Sequence, residues 1–245
     1  MLRTLLTPRW LGFSALAVLA VVLCLIAAWW QYQRTQDQLI VERAAAAELA
    51  AYPDVVTGTD LPLDVLGREV RLDGELVPEA RSFVRTRTND SGEAGFWVVD
   101  GVRLNDGRTV PLLQGWVTDP SAAPKPEATD LAMSTLGRVQ PDENFYRDAP
   151  ITPAEPLVTI TSTGLASQWP SNANIAPGYV TATSANPDFE RIRPVFGADP
   201  DVPFPLQNAL YSLQWIVFAG LVLYVWFRGL RIASRLPKQL DETVQ

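Results

Sequence analysis

The sequence predicts a membrane protein in which two transmembrane α-helices flank a mostly β extracytoplasmic domain, a small barrel or rolled antiparallel sheet of α+β type. Three observations predict it. Two uncharged apolar runs lie near the two ends, the segment between them alternates with period two, and its charge is opposite in sign to that of the flanks. The implied organisation is a cytoplasmic N-terminus at 1–9, a first transmembrane helix at 10–33, an extracytoplasmic domain at 34–205, a second transmembrane helix at 206–227 and a cytoplasmic basic tail at 228–245.

No charge falls between Arg9 and Arg34, and Leu11 to Trp30 supplies 20 mostly apolar positions. A helix of about 20 residues crosses a hydrocarbon core of about 30 Å. Secretory signal cores run only about 7 to 15 residues and end in a small-residue cleavage pair. This run is longer and no such pair ends it, so an uncleaved anchor is expected. Val202 to Arg228 is again free of charge, with Leu206 to Phe227 long enough to span.

Orientation follows from charge. Between Arg34 and Pro205 stand 14 basic and 25 acidic residues, a net −11, whereas six basic and two acidic residues outside that window give +4, making −7 for the chain. Arg3 and Arg9 precede the first span, and Arg228, Arg231, Arg235 and Lys238 follow the second. Basic flanks stay cytoplasmic, so both termini are expected inside and the acidic middle outside the membrane. So acidic a domain would repel a phosphate backbone, which argues against nucleic acid and leaves membrane lipid and other proteins as partners.

Small or polar residues recur on one stripe of the first span at Ser14, Ala17, Cys24, Ala27 and Gln31. Asn208, Tyr211 or Ser212, Trp215 and Ala219 recur similarly on the second, and Gln214 sits near mid-membrane, where an amide wants a partner. These groups either join the two helices of this chain or dock against another membrane protein.

Arg34 to Ala51 is rich in helix formers, so the first helix is expected to continue until Pro53 stops it. Strands are then expected at Glu69–Leu76, Ser82–Thr88, Gly95–Leu104, Thr109–Thr118, Ser134–Gln140, Leu157–Thr163 and Tyr179–Thr183. Asn105-Asp106-Gly107 is a hairpin signal, since such turns need positive φ, and a short helix is expected at Leu165–Trp169.

Chemistry is conspicuous mainly by what is missing. The chain has no histidine, which removes the commonest general base and haem ligand, and its one cysteine, Cys24, lies in the first span. No Gly-x-Ser-x-Gly, Ser-x-x-Lys or phosphate-binding glycine loop occurs, so no catalytic residue and no metal site are assigned, and the chain is not expected to be an enzyme. A carboxylate pair or a calcium site around Asp199 and Asp201 is the residual enzymatic or metal-binding reading.

Three blocks carry a family resemblance. Trp30-Gln31-Tyr32-Gln33-Arg34 resembles the Trp-Gln-x-x-Arg signature of the Surf1/Shy1 family. Gly95-Phe96-Trp97-Val98-Val99, then Asp106-Gly107-Arg108 and Gly115-Trp116-Val117, is similar to that family's paired strands ending in Arg-Gly-Trp. Asn208-Ala209-Leu210-Tyr211-Ser212-Leu213-Gln214-Trp215 resembles its His-Leu-x-Tyr-x-x-x-Trp opening of the second span. With 18 Arg against 2 Lys, the chain looks like a divergent bacterial, actinobacterial member.

The resemblance implies a non-enzymatic assembly factor of the bacterial plasma membrane for aa3-type haem-copper cytochrome c oxidase. Such a factor stabilises the largest oxidase subunit or assists its haem insertion. Its implied partners are oxidase subunits or a cytochrome bc–oxidase supercomplex, with a constitutive accessory subunit of such a complex as the alternative. It implies Trp30, Gln31, Arg34, Asn208, Tyr211, Gln214 and Trp215 as the residues near partner or haem, and Gly95, Asp106, Gly107, Gly115 and Trp116 as the domain signature. A transient haem a is the one cofactor implied, but Asn208 stands where the family has its haem-binding histidine, and Gln114 replaces the Arg of Arg-Gly-Trp.

Overall fold

A computed structural model of the chain describes residues 2–125, 131–146, 149–197 and 206–235. The chain divides into two compact units: Met1–Leu39 with Pro203–Gln245, and Ile40–Val202. Asp199 and Asp201 lie outside the described residues.

The first unit is helical. A short α1 (Leu2–Leu5) precedes α2 (Pro8–Ala45), and α5 (Leu206–Ala233) forms the return helix. Both α2 and α5 are long and apolar enough to cross a membrane. They touch through side chains at both ends. The Trp226 indole donates to Ser14 Oγ at 3.0 Å, Trp10 lies against Gly229, and the Asn208 amide donates to Gln38 Oε1 at 2.8 Å.

The second unit is a β structure built on one long strand, β2 (Glu69–Thr88). Its first part, Glu69 to Glu75, pairs with β5 (Ala132–Gln140) on one edge. From Glu75 onward it pairs with β3 (Ala94–Arg103) on the other edge, and β3 continues through a hairpin into β4 (Arg108–Val117). A fourth strand lying beside the first after a three-strand meander is a Greek key. Strand β7 (Tyr179–Ala182) closes the circuit, parallel to β4 and antiparallel to β5. The order β2-β3-β4-β7-β5 returns to β2, a five-stranded Greek-key barrel on the path of OB-type folds. Closure removes the exposed edges that would invite pairing with other chains.

Short pieces cover what remains of the edges. Strand β1 (Ala50–Ala51) pairs with Val70 and Arg71, and β6 (Asn174–Ile175) pairs with Arg108 and Thr109. Helices α3 (Tyr52–Val55) and α4 (Ser162–Ala166) pack over the barrel, the latter capped by Thr161, whose hydroxyl accepts from Gly164 N–H at 3.0 Å. The interior is filled by Val70, Leu72, Val102, Val110, Leu112 and Val180 in one cluster and by Val84, Val99, Leu113, Ile160 and Leu165 in another. Each such side chain contributes about 1.5–3 kcal/mol by leaving water.

The expected architecture is present, with three differences in its elements. The segments Glu69–Leu76 and Ser82–Thr88 are one strand, because Pro78 sits in an irregularity between Val77 and Arg81 where no ladder donor is needed. Helix α2 ends at Ala45, well before Pro53, because the next residues are drawn into other contacts. Arg138 donates to the Ala45 carbonyl at 3.1 Å, and Ala50 and Ala51 join the sheet. Pro53 instead stands in the first turn of α3, where a missing N–H costs nothing. Leu157–Thr163 is not a strand. Leu157 alone bridges to Val84, its N–H donating to Phe83 O at 2.7 Å, after which Asp142 binds Ser162 and the chain turns into α4.

Candidate functional site

In the helical unit, seven resemblance-implied residues fall into two sets. Half-buried or buried positions recur at alternating steps of three and four along α2 from Ser14 through Ala28 and Gln31 to Thr35. The same rhythm runs along α5 from Asn208 through Trp215 and Ala219 to Trp226. A 3-4 alternation is the heptad seam of a left-handed helix pair. Gln31, Asn208 and Trp215 therefore lie on the side where the two helices meet. Trp215 also packs edge-on against Phe218, with centroids 5.8 Å apart.

The other set points away from the seam. Trp30 is 60 % exposed and Tyr211 42 %, and Arg34 and Gln214 are exposed as well. Of the pair left open by spacing, Ser212 takes the seam and Tyr211 does not. The contacts Ser14–Trp226 and Gln38–Asn208 also fix the level of Gln214. It stands within a turn of Trp30, near the C-terminal end of the apolar run of α2.

Haem iron needs an axial donor such as His, Cys, Met or Tyr. At the head of α5 stands Asn208 instead, its amide nitrogen already spent on Gln38 at 2.8 Å. Asn208 itself does not fit axial ligation of haem.

In the barrel unit the signature residues explain themselves by packing. Asp106 and Gly107 make the β3–β4 turn, with Gly107 at φ 83. Asp106 Oδ1 accepts from Arg108 N–H at 2.9 Å and its Oδ2 from Arg108 Nε at 2.8 Å. Those bonds from Arg108 hold the Asp106 carboxyl below its ordinary value of 3.8. The same guanidinium donates to the Val56 carbonyl and covers the Tyr52 ring, so the turn is tied to α3.

Gly95 and Gly115 are close-approach glycines. A Cβ on Gly95 would stand 2.5 Å from the Trp116 ring, and one on Gly115 would stand 2.5 Å from Glu190 O and 2.7 Å from Phe189 Cβ. The segment around Phe189 and Glu190 lies on β4 through a two-way backbone bridge between Glu190 and Trp116, at 2.8 and 3.0 Å. Trp116 is 5 % exposed and belongs to the packed interior.

Two buried ion pairs escaped the sequence reading. Arg81 holds Asp100 in a fork, at 2.6 and 2.8 Å, and donates to the Pro124 carbonyl. Gln114 donates to the same carboxylate at 3.3 Å. The second pair joins Arg87 to Glu143 at 2.6 Å, with Glu143 also accepting from Ile160 N–H at 2.7 Å and Thr159 Oγ1 at 3.1 Å. Arg87 lies between the rings of Trp97 and Phe145, 4.3 and 5.0 Å from their centroids. Burial, with Glu143 adding to it, pushes the nearby Tyr179 phenol above its ordinary range.

These carboxylates are engaged by their arginine partners. Among the described residues, no group of three His, Cys, Asp or Glu side chains is placed to hold a metal ion. Charge alternation in β2 (Arg81, Arg85, Arg87) was the available signal for these pairs, but the acidic partners come from distant segments that only the barrel brings near.

No curated protein matches the chain. A sequence model of the SURF1 family matches residues 18–220, which takes in most of α2, the whole barrel and the first half of α5. With five-sixths of its length covered, the chain belongs to the SURF1 family.

Proposed function

We propose that this protein is an assembly factor for aa3-type haem-copper cytochrome c oxidase in a bacterial plasma membrane, working without histidine ligation of haem. It stabilises the largest oxidase subunit, or assists its haem insertion, through protein contacts. The SURF1 family is known for cytochrome oxidase assembly. The observation that carries the reading is the reach of the family match, which takes in most of α2, the domain between the helices and the first half of α5. Assignment of a holding role to the helices is supported by the choice of Asn208, an amide bonded to Gln38, at the place of the family histidine. The basic flanks and the acidic middle support cytoplasmic termini and a barrel on the outer face.

Mild-detergent purification of the tagged full-length chain, with quantification of what accompanies it, tests the proposal. An assembly factor brings oxidase subunits at well below one copy per oxidase, enriched in incomplete forms. An equal ratio with the mature oxidase would make it a permanent subunit, and no oxidase subunit at all would refute both readings.

A further inference from the structure

The seam between α2 and α5 leaves one flank of the helix pair chemically unfinished. Number the seam by heptads, and Ala28 and Thr35 on α2 and Ser212 on α5 take the same position, a. Arg34 and Tyr211 then each precede an a residue, while Trp30 and Gln214 each follow one by two places. An antiparallel pair is related by a two-fold axis perpendicular to the plane of the two helices, an operation that maps each flank onto itself. Equal heptad positions therefore share a flank.

All four residues thus lie on one side. The contacts Gln38–Asn208 and Ser14–Trp226 set the register, bringing Arg34 level with Tyr211 and Trp30 level with Gln214 to within a turn. Among the described residues, Arg34 makes no ion pair and Gln214 no hydrogen bond. An amide at the edge of the apolar run is stabilised by a partner, and Arg34 one turn beyond it sets a cation on the same flank.

We infer that this flank docks a transmembrane helix of another protein, one that carries a carboxylate at its outer end for Arg34 and a hydrogen-bonding side chain about a turn deeper for Gln214. A second copy of this chain fits poorly. Parallel association about an axis along the membrane normal would set Arg34 against Arg34, and like charges at contact repel. A lipid headgroup can meet Arg34 but offers Gln214 no fixed partner of its own. The inference rests on the assembly reading only for which protein supplies the helix.

Photo-crosslinking in native membranes tests it, using the full chain with Trp30→p-benzoylphenylalanine and, as the control on the opposite flank, Tyr32→p-benzoylphenylalanine. Trp30 is expected to give an adduct with one membrane polypeptide, mapped to a helix with Asp or Glu at its outer end, while Tyr32 gives at least tenfold less. Arg34→Glu should abolish the adduct, and exchanging the partner's mapped carboxylate for Arg should restore it. Adducts between two copies of this chain, with lipid alone, or of equal yield at Tyr32 would overturn the inference. The two readings fail separately. A mapped acidic helix in a protein unrelated to the oxidase sinks the assembly reading and keeps the docking flank, whereas oxidase adducts from Tyr32 do the reverse.

Discussion

At the scale of residues, the domain signature is a set of packing solutions. Gly115 admits the backbone of Glu190, and Gly115→Val should cost about 1–3 kcal/mol by overpacking, read as a lower thermal midpoint of the near-ultraviolet tryptophan signal. Asp100→Ala should cost about 3 kcal/mol or more, because it strands the Arg81 guanidinium, which is only 14 % exposed. The double change Arg81→Met with Asp100→Leu should recover much of that loss, and an equal or larger loss would show that the pair does more than satisfy itself. Acid sensitivity belongs at this scale too. Asp106, bonded by Arg108, and Asp73, bonded by Ser134 and then Arg71, both have folded pKa values below the ordinary 3.8. Their contribution is complete above about pH 4 and is lost as pH falls through the folded values. The thermal midpoint should therefore decline below pH 4, less steeply in Asp106→Asn, and the effect is small because both carboxylates are largely solvated.

At the scale of elements, the alternation of apolar and polar residues made β3, β4, β5 and β7 legible, since one buried face imposes period two. What alternation does not carry is who pairs with whom. Strand β2 changes partner at Glu75 without any local mark in its own sequence, and Leu157 reads as a strand start although it alone of its segment is bridged. The end of α2 was hidden for the same reason, being set by Arg138, a residue 93 positions away whose guanidinium reaches Ala45 O and Gly67 O. In the helix pair, the small-residue stripe was readable at Ser14, Ala17, Cys24 and Gln31, whereas its bonding partners Trp226 and Gln38 were not. Ala28 is 7 % exposed on that seam. Ala28→Leu should therefore force the helices apart and lower resistance of the reconstituted chain to denaturing detergent. Leu25→Ala, at a 50 % exposed position, should change it little, and equal effects would contradict the seam.

At the scale of the whole molecule, the proposed orientation rests on the opposite charge of the middle and the flanks, since basic segments prefer the cytoplasmic side. Protease added to intact spheroplasts should therefore digest the barrel and spare the two tails. On the proposed function, such a molecule acts on its partner by contact. The reduced-minus-oxidised spectrum of membranes from a strain lacking this gene tests that account most directly. The account predicts a haem a band reduced severalfold and restored by the wild-type gene. An unchanged band and unchanged oxidase activity would contradict it.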